Sequence, residues 1–516
     1  MLTIDGRPIA AIALTALLCI STAAQAAGPS EAASDDGTAA DVTFAGDVAA
    51  ILHEKCSGCH RPGQSGPFSL LSWEDADEHA ETIAAVIADG YMPPWPPSDA
   101  SPKLKGDRSL SDDQKATLAA WADGGFARGE LSEAPQPPTY ATEWKLGPPD
   151  MVLEMERSYD VPADGRDIYR WFSLPLDSDR PLYLKAYEFK STANGAVHHS
   201  LLYLDESQAG RKRESGDGQP GFRGMRVGPD QMLGGFVPGS VPQPWPEGVA
   251  LEIPAGSDLV LQTHFHPTGR AEQEKSRLAL YFADQKPERP LRTVQMPPGF
   301  GRAARIRIPA GEADYTVTDT FTLPSDVTAI GVSGHAHYIC TTIRLDALTP
   351  GGKPQTLLDI DDWDLDWQGD YQFAEPIDLP AGTVLTTTLT YDNSAGNPDN
   401  PFSPPRAVRW GPQSTDEMGS TDLLVLAEDA AADRSLRKAI KIHRLTEFAR
   451  PRPEEEAKPL TLKEKLLFHG LDSDQDGELQ RGEVPEKYAG LFPYLDVDTS
   501  GGVSREEMKL LRRLQR

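Results

Sequence analysis

The sequence predicts a multidomain protein: a small all-α domain, two antiparallel β-sandwich domains and a short α-helical tail. Three observations predict it. Apolar residues recur with helical spacing from Val42 to about Gly129, alternate with polar ones from about 145 to 450, and turn helical again beyond 460. Pro-bearing stretches at Pro135–Pro138 and Arg450–Pro459 mark the changes of texture. The chain has 516 residues, too many for one hydrophobic core. Hydrophobic content of 39% and charged content of 25% are those of an ordinary water-soluble protein. The net charge of −28 argues against nucleic acid or an anionic membrane as partner, since both need a basic surface.

Residues 1–26 read as a signal peptide. Arg7 precedes an apolar run from Ile9 to Ile20, and Ala24-Gln25-Ala26 offers small residues for cleavage. Twelve apolar residues are too few to span a bilayer, so the expectation is export to the periplasm or beyond, with no stable membrane insertion. Residues 27–41 form an Ala/Gly/Ser/Asp leader. Of four cysteines, Cys19 leaves with the signal, Cys56 and Cys59 share one motif, and Cys340 stands alone. Disulfides are therefore not expected to hold the fold.

The segment 42–129 should be helical, with helices near Ala80–Ile87 and Ser111–Ala127, the latter opened by a Ser111–Gln114 capping box. Cys56-Ser57-Gly58-Cys59-His60 is the attachment signature of a c-type haem: two thiols for the porphyrin vinyls and an adjacent histidine for the iron. A thioredoxin-like redox pair would want a βαβ setting, which these surroundings lack. Met92, on the Pro-stiffened stretch Tyr91-Met92-Pro93-Pro94-Trp95, is the candidate sixth ligand, and His/Met ligation suits electron transfer. The segment resembles a class I cytochrome c domain, whose axial methionine lies on such a loop.

Between 145 and 450, runs such as Leu182–Tyr187, Leu259–Gln262 and Leu385–Leu389 read as strands, and Pro-Ala-Gly turns recur at 254, 309 and 380. Two sandwiches, 145–288 and 289–448, divide this region. Six of the eleven histidines fall in three clusters, His198-His199, His264-Phe265-His266 and His335-Ala336-His337. On a strand, residues i and i+2 share a face, so His335 and His337 can clasp one ion. Adjacent His198 and His199 would point apart in a regular strand, so joint ligation needs a bulge or a strand end. Each histidine alone is an ordinary core or surface residue; the set points to metal. Imidazole suits Zn, Cu, Fe and Ni alike, whereas the thioether of Met418 favours Cu(I).

The stretches Ala196–Ser200, Leu261–Phe265, Gly334–Tyr338 and Asp416–Met418 together resemble the copper type II ascorbate-dependent monooxygenase family (peptidylglycine α-hydroxylating monooxygenase-like), over about 145–440. The resemblance implies two consecutive antiparallel β sandwiches with one copper each. It implies that His198, His199 and His264 hold an electron-relay copper, with Gln262 beside it, and that His335, His337 and Met418 hold the oxygen-activating copper. The implied activity is hydroxylation of a substrate C–H bond with O2. The expected partners are O2, an unidentified small-molecule substrate and a periplasmic electron donor. Departures narrow the substrate. Peptide-amidating members carry an arginine two residues before the first histidine of the oxygen site, where this chain has Ser333. They follow the methionine with asparagine and tyrosine, where this chain has Gly419 to Asp422. Peptide amidation is therefore not expected, and Asp422 suggests a cationic substrate instead. His266 is ranked as a supporting or surface residue and Cys340 as a buried small hydrophobe. The alternative function is a non-enzymatic copper-binding or electron-transfer protein using the same ligands.

In the tail, 460–516, Asp472, Asp474, Asp476, Gly477, Glu478, Gln480 and Glu483 fill the calcium-loop template of an EF-hand. Asp496, Asp498, Ser500, Gly501, Gly502, Ser504 and Glu507 repeat it. The two loops resemble an EF-hand pair binding Ca2+. Only twelve residues lie between them, so the intervening helices must be short. The preferred role is a structural clip, ahead of docking or sensing.

Overall fold

The computed structural model describes residues 42–510 except 63, 65, 141–142, 226–230, 238–239, 353, 451–460, 486–491, 496–500 and 506. The expected signal peptide and the calcium-loop residues Asp496, Asp498 and Ser500 lie outside the described residues. Sheet dominates the architecture.

Helices come first. A continuous helical run covers Phe44–Val48, Ala49–Ile51 and Leu52–Cys56, with wide i→i+5 bonds at both ends, Val48 N to Thr43 O and Ser57 N to Leu52 O. Its face of Phe44, Val48 and Leu52 meets Ile83 from the helix Ala80–Ala88 and Leu118 and Trp121 from the helix Asp112–Asp123. Ser111 and Gln114 close the expected capping box, each side chain accepting the other residue's amide. A further short helix, Trp73–Glu78, has its own capping box at Ser72 and Asp75.

Two pairs of four-stranded antiparallel sheets follow. In the first pair, one sheet orders Met151–Glu154, Arg277–Phe282, Leu182–Lys190 and Leu251–Ile253. The other orders Ile168–Leu174, Asp258–Phe265, Val197–Asp205 and Met232–Phe236. They share a core that includes Phe172, Leu184, Leu202, Leu261, Phe265 and Leu280. The second pair has Leu291–Met296, Gly419–Ala427, Val327–Ala336 and Asp370–Leu379 in one sheet. Its other sheet has Tyr315–Thr322, Val384–Tyr391, Cys340–Leu348 and Pro354–Ile360. Val332, Leu345, Phe373, Leu389, Leu423 and Val425 belong to that core. Each such buried aliphatic or aromatic side chain contributes roughly 1.5–3 kcal/mol.

The Pro-Ala-Gly segments turn as their chemistry requires. Pro254, Pro309 and Pro380 each accept a bond from the residue three on. Gly256, Gly311 and Gly382 have φ of +76, +82 and +82°, which a side chain would resist. One expectation needs correcting: the range 289–448 does not end as sheet. Ala430–Ala449 is a twenty-residue helix capped by Asp429, whose carboxylate accepts from the amides of Ala431 and Ala432. Its stripe of Leu436, Ala439 and Ile440 covers the second core. One turn on, His443 reaches buried Asp319 at 3.0 Å.

The helical segment is fastened to the second sheet pair by the strap 91–108. Lys105 N donates to Gln372 O and Ala374 N to Lys103 O, extending that sheet along its Asp370–Leu379 edge and burying Leu104 in the second core. Trp95 meets Tyr371 edge-on at 5.4 Å. The loop end of the cysteine motif is fastened separately: Ser57 Oγ lies 2.5 Å from Tyr140 OH, and Arg61 sits 3.8 Å over the Tyr140 ring.

Candidate functional site

A cavity of about 940 Å3 runs between the sheet pairs, from Cys59 to Met418. Gln262, His199, His335, His337 and Met418 all line it.

The first histidine cluster depends on a local irregularity. In the pairing of Val197–Asp205 with Asp258–Phe265, Val197 faces Phe265 but His199 faces His264, so His198 is an extra residue. This bulge lets adjacent histidines serve one centre. His198 Nδ1 lies 3.2 Å from His199 Nδ1, and ligand atoms of His198, His199 and His264 all lie within 4.8 Å of one another. Two nitrogens on one tetrahedral ion stand ~3.3 Å apart when each bond is about 2.0–2.1 Å. The donor set therefore fits a metal ion. The outer nitrogens are supported by acid: His264 Nε2 is 3.3 Å from Asp167 and His198 Nε2 is 3.7 Å from Asp366. Neither ring nitrogen of His264 makes a well-formed hydrogen bond, although both are buried. Tyr169 stacks on His264 at 4.3 Å and its hydroxyl donates to Pro412 O.

Asp167 links this cluster to its surroundings. It accepts from His266 Nδ1 at 2.8 Å and from Ser414 Oγ at 2.7 Å. Burial alone would raise its carboxyl, but the close His264 imidazole and the hydrogen bonds from His266 and Ser414 outweigh that and hold it well below the usual range. His266 is thus aimed at Asp167 and is half exposed. Gln262 shares a strand face with His264 and points into the cavity.

The second cluster is set by register. His335 pairs with Ser420 and Ala336 with Gly419, so Met418 continues beside His337 as the strand begins. The His335 and His337 rings lie 5.4 Å apart and nearly perpendicular. Here the outer nitrogens meet neutral groups: His335 Nδ1 and Gln368 Oε1 are 2.8 Å apart, and His337 Nδ1 faces Asp416 O at 3.3 Å. That leaves Nε2 of both rings for a ligand. Beneath them, buried Glu417 accepts from the amides of His337 and Met418 at 2.6 and 2.9 Å. Burial pushes its carboxyl up to about 8.

Burial also lowers His199, His335 and His337, with the neighbouring histidines adding to it; His335 falls to about 4. At neutral pH these imidazoles are uncharged, the form that ligates.

The cysteine motif forms a tight turn, with Cys59 N and His60 N both donating to Cys56 O. Both thiols are free, and burial followed by Cys59's charge pushes Cys56 up to about 12. His60 packs on Phe68, and its Nδ1 lacks a well-formed hydrogen bond. Cys59 opens on the cavity, near Arg61, Lys145 and Lys190. Met92 is half-buried and its amide donates to Val86 O.

In the tail, Asp472, Asp474 and Asp476 bring carboxylate oxygens within 4.8 Å of one another, and Asp472 Oδ1 is buried without a partner. Glu483 folds over the loop, accepting from Ser473 N and Gln480 N. Gly477 and Gly501 share positive φ, and Glu507 repeats Glu483 by accepting from Ser504 N. The loops pair through Glu478–Gln480 and Gly502–Ser504. This donor set fits a hard cation such as Ca2+.

Asp167, Gln368 and Glu417 were not among the sequence candidates. Only Glu417 had a sequence signal, its place directly before Met418.

No family model matches the chain, and no curated protein matches it. Among solved structures, PNGase F, a glycosylasparaginase from Flavobacterium meningosepticum, aligns at 10% identity over 52% of this chain and 96% of its own, with a TM-score of 0.24. The infectious bursal disease virus VP2 subviral particle aligns at 9% over 58% and 77%, TM-score 0.18. A Paenibacillus xanthan lyase aligns at 13% over 56% and 27%, TM-score 0.16. Among the described residues no helix is long and apolar enough to cross a membrane.

Proposed function

We propose that this chain is an exported copper-dependent monooxygenase that hydroxylates a substrate C–H bond with O2, its electrons arriving through a c-type cytochrome domain on residues 42–129. One observation carries this reading: two histidine clusters from different sheet pairs open on one cavity, and the second has Met418 beside its histidines. A thioether favours Cu(I), so the pair of sites is unequal in the way a relay and a reaction centre would be.

When bound, copper at the Met418 site would supply oxygen activation, and the relay copper and haem would supply single electrons. The chain's own residues do the positioning. His198, His199 and His264 present Nδ1 inward; Asp167 and Asp366 hold two of those rings from behind. His335 and His337 present Nε2, with Gln368 and the Asp416 carbonyl fixing the rings. Cys56 and Cys59 would attach the haem, His60 would bind its iron, and Met92 would complete the ligation. Arg61, Lys145 and Lys190 beside Cys59 suit the carboxylates that haem carries. The tail reads as an EF-hand calcium clip.

The test is made on full-length protein from a host that exports and attaches haem. It should hold two coppers and one covalent haem, and consume O2 only with reductant and a compound whose mass then rises by one oxygen. Copper that stays oxidised while the haem is reduced sinks the electron-delivery role. Full copper loading with no product from any compound returns the chain to the non-enzymatic alternative. For the tail, chelating calcium should lower the melting temperature, by about 2.7 kcal/mol of stability in that segment when calcium had stood at 100 times its Kd. A chelator-insensitive melting curve refutes the clip.

A further inference from the structure

The closing helix Ala430–Ala449 lies on the second core along one stripe. Leu436, Ala439 and Ile440 are its apolar part, and the next positions at the same helical spacing are His443 and Glu447. Residues four apart share a helix face, so these two side chains project the same way. They meet the strand Tyr315–Thr322, where Val317, Asp319 and Phe321 are buried and the residues between them exposed. Val317 and Phe321 belong to the second core. Asp319 stands between them, on the face that strand alternation gives to apolar side chains. An inward carboxylate on the strand therefore faces an imidazole and a carboxylate on the helix.

The geometry is that of a donor set. His443 Nε2 lies 3.0 Å from Asp319 Oδ2, and the ring meets Phe321 edge-on at 5.3 Å. One ligand atom from each of Asp319, His443 and Glu447 falls within 4.8 Å of the other two. Asp319 and Glu447 are only 4% and 6% exposed. Two carboxyls buried this close repel each other, and water does little to screen them. Burial raises the Glu447 carboxyl and the Asp319 charge adds to it, while Arg450 and His443 oppose. Glu447 also stands in the last turn of its helix, at the negative end of the macrodipole, where a cation is favoured and a carboxylate is not. Around the three, Asp319 Oδ1 accepts from Thr320 N at 2.8 Å, and Glu447 Oε1 lies 2.9 Å from Nη2 of the exposed Arg450.

We infer that Asp319, His443 and Glu447 form a zinc site, separate from both histidine clusters, that fastens the end of the closing helix to the second sheet pair. Two ligands four residues apart on one helix, with a third from another element, form a set that tetrahedral Zn2+ accepts. Donors on one such ion stand ~3.3 Å apart when each bond is about 2.0–2.1 Å. His443 Nε2 and Asp319 Oδ2, at 3.0 Å, are close to that spacing already. One imidazole with two carboxylates suits a borderline ion, since Mg2+ and Ca2+ take oxygen donors and Cu(I) wants sulfur. Zn2+ would balance both carboxylates with the imidazole neutral, so no net charge would be buried. The metal-free alternative is an ion-pair network in which a protonated His443 and Arg450 balance the two acids. The inference does not rest on the monooxygenase reading.

The full chain is stripped of metal with a chelator, dialysed against Zn2+, desalted, and its zinc counted by mass spectrometry. The native chain should hold one zinc more than Asp319→Asn, His443→Gln or Glu447→Gln. The histidine clusters and the calcium loops are intact in all four proteins and cancel from that difference. The changes to Asn and Gln at the two acids are near-isosteric, and circular dichroism checks that each variant folds. His443→Gln can still donate a hydrogen bond to Asp319, so it spares a merely hydrogen-bonded cluster while removing a zinc ligand. Zinc should raise the melting temperature of the native chain by more than that of Glu447→Gln. A readout that needs no variant is a zinc-soaked crystal of the native chain, measured on both sides of the zinc absorption edge. Its anomalous peak should lie between Asp319, His443 and Glu447. Equal zinc counts in the native chain and its folded variants overturn the inference. So does a soaked crystal with no peak among the three side chains, or a Glu447→Gln melting curve that responds to zinc as the native one does.

Discussion

The two histidine clusters open on one cavity, yet their supports differ in kind. Behind His264 and His198 stand carboxylates, Asp167 and Asp366, and Asp167 is held well below the usual carboxylate range by hydrogen bonds from His266 and Ser414 with the His264 imidazole 3.3 Å away. Behind His335 and His337 stand an amide oxygen and a backbone carbonyl, and the nearby acids, Glu417 and Asp422, are pushed upward by burial. Fixed negative charge behind an imidazole raises its basicity and steadies a bound cation through changes of oxidation state. Neutral support beside a thioether leaves the second site softer and its surroundings free to respond to a ligand. On the proposed monooxygenase reading, this difference would suit the first cluster to holding and relaying and the second to contact with substrate.

The largest effects should come from breaking each site singly. His264→Ala should remove one copper per chain, and Met418→Ile should leave the first site's copper in place while turnover falls. Both losses of turnover should exceed the ~10–100-fold typical of residues that only support ligands. Copper counting beside oxygen uptake checks this, and equal copper loss from both sites in either variant breaks the distinction. Next, Asp167→Asn should weaken copper at the first site by ~10–100-fold and leave the second unchanged, and Gln368→Ala the reverse.

The raised acid gives a pH test of smaller size. Asp422 is lifted from 3.8 to about 7 in the folded chain. Below pH ~4 it is protonated folded or unfolded and costs nothing. Between there and about 7 the unfolded chain ionises it while the folded chain does not, so stability falls as pH rises. Above about 7 the penalty is constant, on the order of a few kcal/mol. Asp422→Asn should therefore raise the melting temperature at pH 8 and leave it unchanged near pH 4. An unchanged melting temperature at pH 8 means Asp422 has a partner that the fold supplies.

Much of this was legible in sequence where the signal is local. The Ser111 capping box, the Pro-Ala-Gly turns and the alternation of Val384–Tyr391 depend on neighbours in the chain, and the structure forms them. That joint ligation by His198 and His199 needs a bulge or a strand end followed from strand periodicity alone. What escaped the sequence arrives from a distance. Asp167 lies 97 residues before His264, and Gln368 reaches His335 from a loop 33 residues later. The row Gln295–Asp422–Ser333–Asp370 exists only through strand register, which links positions that no spacing rule connects. The closing helix Ala430–Ala449 was missed because the stripe it packs on the second core is short, Leu436, Ala439 and Ile440, and is followed one turn on by His443.

The smallest effect is the sharpest control on the first site. His266 shares Asp167 with His264, but it is 57% exposed and bonded to the opposite oxygen. If Asp167 acts through His264, the loss of His266 removes one of its two hydrogen bonds and leaves that of Ser414 and the nearby His264 imidazole in place. His266→Ala should then change stability by no more than ~0.5 kcal/mol, as for most surface changes. Copper at the first site should weaken only a few-fold, well short of Asp167→Asn. Copper affinity measured by competition with a chelator reads the difference directly. A His266→Ala variant that empties the site as His264→Ala does would make His266 a ligand, and Asp167 a bridge between two ligating histidines.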